Sequence, residues 1–291
     1  MIRFFTVFAI VLGSLNFNSC QDKVHGKEVS FKPEINLIPV QQSKFNVNGK
    51  TLTSRILTPN GFTRVSSIEN SFPYFLQNLP LKPDGAMVKT YDGETKENDD
   101  IYVAVVDLPI GKRDLHQCAD AVMRLRMDYL YSQQRYNEIH FNFTNGMQVD
   151  YSEWMKGKRM VVSGNKTYWK QSKSPSNSPQ DFTKYKELIY SYAGTLSLSR
   201  ELKKIPLSAM QIGDVFIKGG SPGHAVIVVD MATSSNGEKL FLLAQSYMPA
   251  QEIQILVNPM DDDLSPWYST KYLDYIVTPE WGFELNELKR F

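Results

Sequence analysis

Residues 224–230 read HAVIVVD, a run so apolar and β-branched that only a core strand accommodates it. Leu240 to Tyr247 (LFLLAQSY) is a second apolar run, and turn residues at Ser234 to Gly237 join the two as a hairpin. Upstream, Gly213-Asp214 makes a turn, Val215-Phe216-Ile217 a short strand, and Gly219 to Gly223 (GGSPG) a loop. His224 opens the core strand directly after that loop. A titratable ring in such a place needs a partner or a task.

A net charge of +1 excludes an electrostatic nucleic-acid role. No zinc-type Cys/His cluster and no GxxxxGK phosphate loop occurs, so no metal or organic cofactor is expected. Met1-Ile2-Arg3 followed by apolar Phe4 to Leu15 has signal-peptide form, too short to span a bilayer. Phe17-Asn18-Ser19-Cys20 then resembles a bacterial lipobox. That resemblance implies a signal peptide over 1–19, cleavage before Cys20, and lipid on Cys20. The domain would then be held to a membrane on the periplasmic face or cell surface. An ordinary secretory signal with a chance cysteine is the alternative. Polar, aperiodic residues 20–50 read as a flexible tether, and 51–291 as a single α+β domain.

The clearest helix is Asp114 to Gln134, with Asp114 as N-cap and Cys118 one turn inside. A shorter helix is expected over Ser71 to Leu79, and one capped by Asp181 runs through Phe182, Tyr185 and Ile189. Strands are expected at Ala86 to Tyr91 and Ile101 to Leu108. Hairpins are expected about Asn145-Gly146 and Gly164-Asn165, and a third core strand over Ile253 to Val257.

If Cys20 carries lipid, Cys118 is a lone thiol in an exported protein. A helix N-terminus is expected to lower its pKa from about 8.5, giving thiolate at neutral pH. His224 is the candidate base. A hairpin centred on Ser235-Asn236 pairs 226 with 245 and 224 with 247, which sets Gln245 on the His224 face as the group that orients the ring. A one-residue slip would offer Ser246 instead. Cys118 also reads as a small buried core residue, His224 as a satisfied core histidine, and Gln245 as an amide bonding backbone. His116, two residues from Cys118, is expected to point elsewhere. Asp230 lies on the His224 face by alternation, where it lines the same groove or caps the hairpin.

The order Cys at a helix start, Gly-Asp before a strand, Gly-His opening a hairpin, then a polar residue on the return strand resembles the NlpC-type and CHAP-type branch of papain-like cysteine peptidases. The resemblance implies an antiparallel sheet with a packed helix, Cys118 as nucleophile, His224 as base, Gln245 as orienting residue, and amide bonds of peptidoglycan peptides as substrate. The Cys118 context (HQCAD) and the long interval to His224 depart from that branch and imply an inserted hairpin and helix. More extensively, DLHQCADAVMRLRMDYLY, GDVFIKGGSPGHAVIVVD, LAQSYMPAQ, PWY and TPEW resemble a bacterial lipoprotein family catalogued as domain of unknown function 4846. That likeness implies export and no particular activity. Two functions therefore stand: a lipid-anchored cysteine-dependent amide hydrolase, or a non-catalytic envelope binding or assembly lipoprotein on the same scaffold.

Overall fold

The HAVIVVD run becomes the long strand His224–Ser234, the centre of a nine-stranded antiparallel sheet among the described residues. These are 43–291, apart from Asn165 and Tyr272, in a computed structural model. The expected signal peptide, the expected lipid acceptor Cys20 and most of the expected tether lie outside them. Residues 44–57 pair back on each other (Leu57 N–H to Lys44 C=O, 2.9 Å; Asn46 N–H to Arg55 C=O, 2.8 Å), so the tether boundary expected at 50 falls inside folded structure. No helix among the described residues is long and apolar enough to cross a membrane.

Across the sheet the order is Tyr102–Val105, Gln254–Leu256, Lys239–Gln245, His224–Ser234, Val215–Lys218, Leu288–Arg290 and Lys203–Lys204. Phe62–Arg64 pairs with the distal half of the His224 strand, and Tyr268–Ser269 with the Lys239 strand. Ala225 to Val229 are at most 1 % exposed, because the strand is covered on both faces. The helix Cys118–Ser132 packs against it. Phe216, Phe241 and Phe283 form a tilted aromatic layer about 6 Å apart, at 6.2 and 6.1 Å between centroids. The result is an α+β architecture with the Cys118 helix lying on an antiparallel sheet.

The hairpin register comes out as expected at the site, by an unexpected route. The turn is one residue longer than a two-residue loop: Gly237, at φ +86°, donates to Ser234 C=O, and Ser234 donates to Glu238 C=O. Lys239 pairs with Thr233 and Leu242 with Asp230, one step out of the expected register. A β-bulge at Val229 then absorbs the extra residue, and Leu243 pairs with Val228 and Ala244 with Ile227. Continuing that pairing sets Gln245 opposite Val226.

Three local expectations are corrected. The helix starts at Cys118, not Asp114: Gln117 is extended and its N–H is held by Asp120 Oδ2 at 3.1 Å. Asp114 is occupied elsewhere, accepting from Ala250 N–H at 2.7 Å and Gln117 Nε2 at 3.0 Å. The later helix, Pro179–Tyr192, is capped by Ser178, whose hydroxyl accepts the Asp181 N–H. Residues 86–91 form no strand; Lys89 and Thr90 make only isolated bridges, because the chain folds over Gly93 (φ +92°) onto Glu94.

Candidate active site

The site is assembled at the start of the His224 strand. Gly213, at φ +98°, lies so close to Phe72 that a Cβ would sit 2.9 Å from its ring, so only glycine makes this turn without strain. Asp214 locks the turn from within, accepting Gln211 N–H at 2.6 Å and Arg290 Nε at 2.6 Å. The following loop is tight at Gly223, where a Cβ would lie 2.5 Å from Gly220 C=O and 2.6 Å from Thr195 Oγ1. These two glycines fix how His224 enters the sheet.

Starting the helix at Cys118 puts its thiol on the first turn, where backbone N–H groups have no helical acceptor. Cys118 and His224 line one cleft of about 470 Å³ with Tyr247, Trp281 and the Gly220–Gly223 loop. The approach to Cys118 is pinned from the other side, since Ser246 Oγ bonds His116 C=O at 2.9 Å and Gln251 C=O at 2.8 Å. Ser246 is thus a structural brace, and the alternative register that would turn it to His224 does not occur.

Gln245 meets His224 as expected: its Oε1 lies 2.8 Å from His224 Nε2. Its amide nitrogen donates to Glu280 Oε2 at 2.6 Å, and Glu280 Oε1 pairs with Lys96 Nζ at 2.8 Å. This chain assigns the imidazole tautomer. A carboxylate only accepts, so Gln245 must turn its NH₂ to Glu280 and its oxygen to the ring. Nε2 of His224 then carries the proton, and Nδ1 keeps the lone pair a base needs. Tyr247 at 5.0 Å, Trp281 at 5.5 Å and Phe283 at 5.9 Å enclose the ring. Lys96 also lies 5.3 Å from the Tyr247 ring centroid.

Burial dominates the electrostatics. It lowers the His224 pKa to about 4, with the Gln245 bond opposing and the Lys96 charge assisting. Burial likewise pushes the Cys118 thiol up to about 11, assisted by Asp120 and opposed by the Ala119 and Ala225 N–H groups. The thiolate expected from the helix N-terminus is therefore not the resting state. At this site desolvation outweighs the helix dipole, and the pair rests as neutral thiol and neutral imidazole.

The remaining candidates separate. Asp230 does not line the cleft; it binds Arg64 Nε at 2.8 Å and Gln77 Nε2 at 2.7 Å. His116 lies before the helix, with Nδ1 3.1 Å from Gln251 C=O, and faces a different cavity. Glu280 and Lys96 were not found by sequence reasoning. The one signal for Glu280 is its place between Pro279 and Trp281 in TPEW; Lys96 sits in a polar loop with no motif. Among the described residues, no group of three or more His, Cys, Asp or Glu side chains is arranged to hold a metal ion.

No curated protein and no solved structure matches this chain. A family model does, over residues 52–290, which takes in the whole sheet, the Cys118 helix and the Gln245–Glu280–Lys96 chain. The chain belongs to the family described as Domain of unknown function (4846).

Proposed function

We propose that this protein is a lipid-anchored, cysteine-dependent amide hydrolase of the bacterial cell envelope, acting on cell-wall peptides. The observation that carries the reading is a thiol on a helix's first turn sharing a cleft with an imidazole whose tautomer is fixed for base catalysis. The order of the elements resembles the NlpC-type and CHAP-type papain-like peptidases and supports the same chemistry. Export and lipid on Cys20 rest on the resemblance of residues 1–20 to a lipoprotein signal.

In this mechanism Cys118 Sγ attacks the amide carbon while its proton passes to His224 Nδ1. The carbonyl π electrons move to oxygen, where first-turn N–H groups of the helix, which have no helical acceptor, receive the charge. Collapse expels the amine, which takes the proton from His224. Water, deprotonated by His224, then attacks the thioester and releases the acid, and the thiol is re-protonated. No cofactor enters. The test is purified protein with a muropeptide mixture, followed by mass spectrometry. The wild-type chain is expected to add water to an amide bond, and Cys118→Ala to release no product. Equal hydrolysis by both refutes the nucleophile.

One observation favours a second reading, an envelope-binding lipoprotein. The resting thiol is 9 % exposed and held neutral by burial, as suits a packed core residue. This reading expects muropeptides to be retained unchanged by wild type and Cys118→Ala alike.

A further inference from the structure

A second cavity, of about 310 Å³, adjoins the thiol cleft, and Leu115 and Tyr190 line both. His116 is 3 % exposed and opens onto this second cavity only. Its Nδ1 is held by the Gln251 carbonyl at 3.1 Å, and a carbonyl only accepts. The ring proton is therefore on Nδ1, and Nε2 is a buried lone pair with no partner. The buried Tyr190 hydroxyl also has none, and the two rings stand 5.9 Å apart, edge to face. Buried polar atoms without partners are rare and costly, so two on one cavity wall point to something that completes them.

The rest of the lining says what that is. Arg113, Arg124 and Lys186 contribute cations, and Glu187 is the only acid there. Arg124 and Lys186 are steadied from behind by Asp128, at 3.2 and 2.6 Å. Arg113 makes no ion pair among the described residues. The wall thus offers several donors for an anion, and His116 Nε2 is a buried acceptor left without a partner for an N–H.

We propose that this cavity is a subsite for a carboxylate with a neighbouring amide N–H, and that it selects acidic peptides for the Cys118 cleft. The carboxylate is taken by Arg113, Arg124, Lys186 and the Tyr190 hydroxyl, and the N–H by His116 Nε2. The subsite deepens the hydrolase reading and rests on it for the scissile bond, but its binding chemistry is independent of the thiol. A peptide crossing Leu115 and Tyr190 has its acidic group in one cavity and an amide in the other. A chain terminus and an acidic side chain present the same chemistry.

The test is calorimetric binding to the full chain carrying Cys118→Ala, so that hydrolysis plays no part. The probes are acetyl-alanyl-glutamate α-amide, acetyl-alanyl-glycine with a free terminus, and acetyl-alanyl-glutamine α-amide. At least one acid is expected to bind about tenfold or more tightly than the glutamine peptide, the scale of a hydrogen bond to a charged group. Preference for the glutamate peptide assigns a side chain, and preference for the glycine acid a terminus. Arg113→Gln, an exposed change, should remove most of that preference. In ¹⁵N spectra the bound acid should shift the His116 Nε2 resonance and leave His224 Nε2 in place. No preference for either acid, or a preference that leaves His116 unmoved, overturns the subsite, with ordered water then completing both atoms. Hydrolysis in wild type with no acid preference removes the subsite and leaves the hydrolase intact.

Discussion

The neutral resting pair makes a prediction that alkylation of Cys118 across pH tests directly. With the thiol near 11 and the imidazole near 4, proton transfer between them is about seven pH units uphill, on the order of 10 kcal/mol. Two unit charges in contact recover about 4 kcal/mol at the effective dielectric of protein sites, so the ion pair stays the minor form. At pH 7 a thiol of this pKa is ionised in about one molecule in ten thousand, against about one in thirty for an ordinary thiol near 8.5. Ionisation alone should make Cys118 label about 300-fold more slowly than an exposed cysteine. The assay is iodoacetamide labelling in short pulses between pH 5 and 10, read by mass spectrometry. The rate should climb about tenfold per pH unit over the whole range. Limited access to a thiol that is 9 % exposed scales the curve without changing its slope, so the slope is the diagnostic quantity. A flat profile between pH 5 and 8 would refute the reasoning, since only a resting thiolate–imidazolium pair labels that way.

Glu280→Gln should slow turnover by about tenfold or more at unchanged KM, because the Gln245 amide is then free to flip and present NH₂ to His224. A raised KM with normal kcat would show that Glu280 serves binding instead. Stability should peak near pH 6.5. His224 and His116 are buried neutral, with pKa values lowered to about 4 and about 3, so the unfolded chain binds more protons below 6.5 and stability falls as pH drops toward 4. Asp120, pushed up to about 8 by burial, holds a proton in the folded chain that the unfolded chain releases above 3.8. Its contribution declines as pH rises through 8. Urea midpoints measured from pH 4 to 9 check this; a midpoint rising steadily to pH 9 contradicts it.

The central strand, the return strand and the Cys118 helix were legible because periodicity and β-branching act over neighbouring residues. Cys118, His224 and Gln245 stand out in the sequence for the same reason, each lying at an end of such an element. The helix start was misplaced because Asp114 has a good capping side chain that tertiary structure spends on Ala250. The thiol's ionisation was misread because the N-terminal dipole is visible in a helical pattern, whereas the depth of burial is not. Glu280 and Lys96 reach Gln245 from distant loops, and nothing near them in the chain marks a partner so far away. His116 was expected on the helix, where an offset of two residues would have turned it aside; it precedes the helix and is held by Gln251 instead.

The unpaired residue Val229 divides the central strand into two halves with separate duties. One half presents His224 to the cleft, and the other presents Asp230 to Arg64 and Gln77. An ordinary pleat would tie these sides together, so that lengthening the hairpin tip by one residue would invert the imidazole's face. With a spare residue in between, a change of length at the tip is absorbed before it reaches the site.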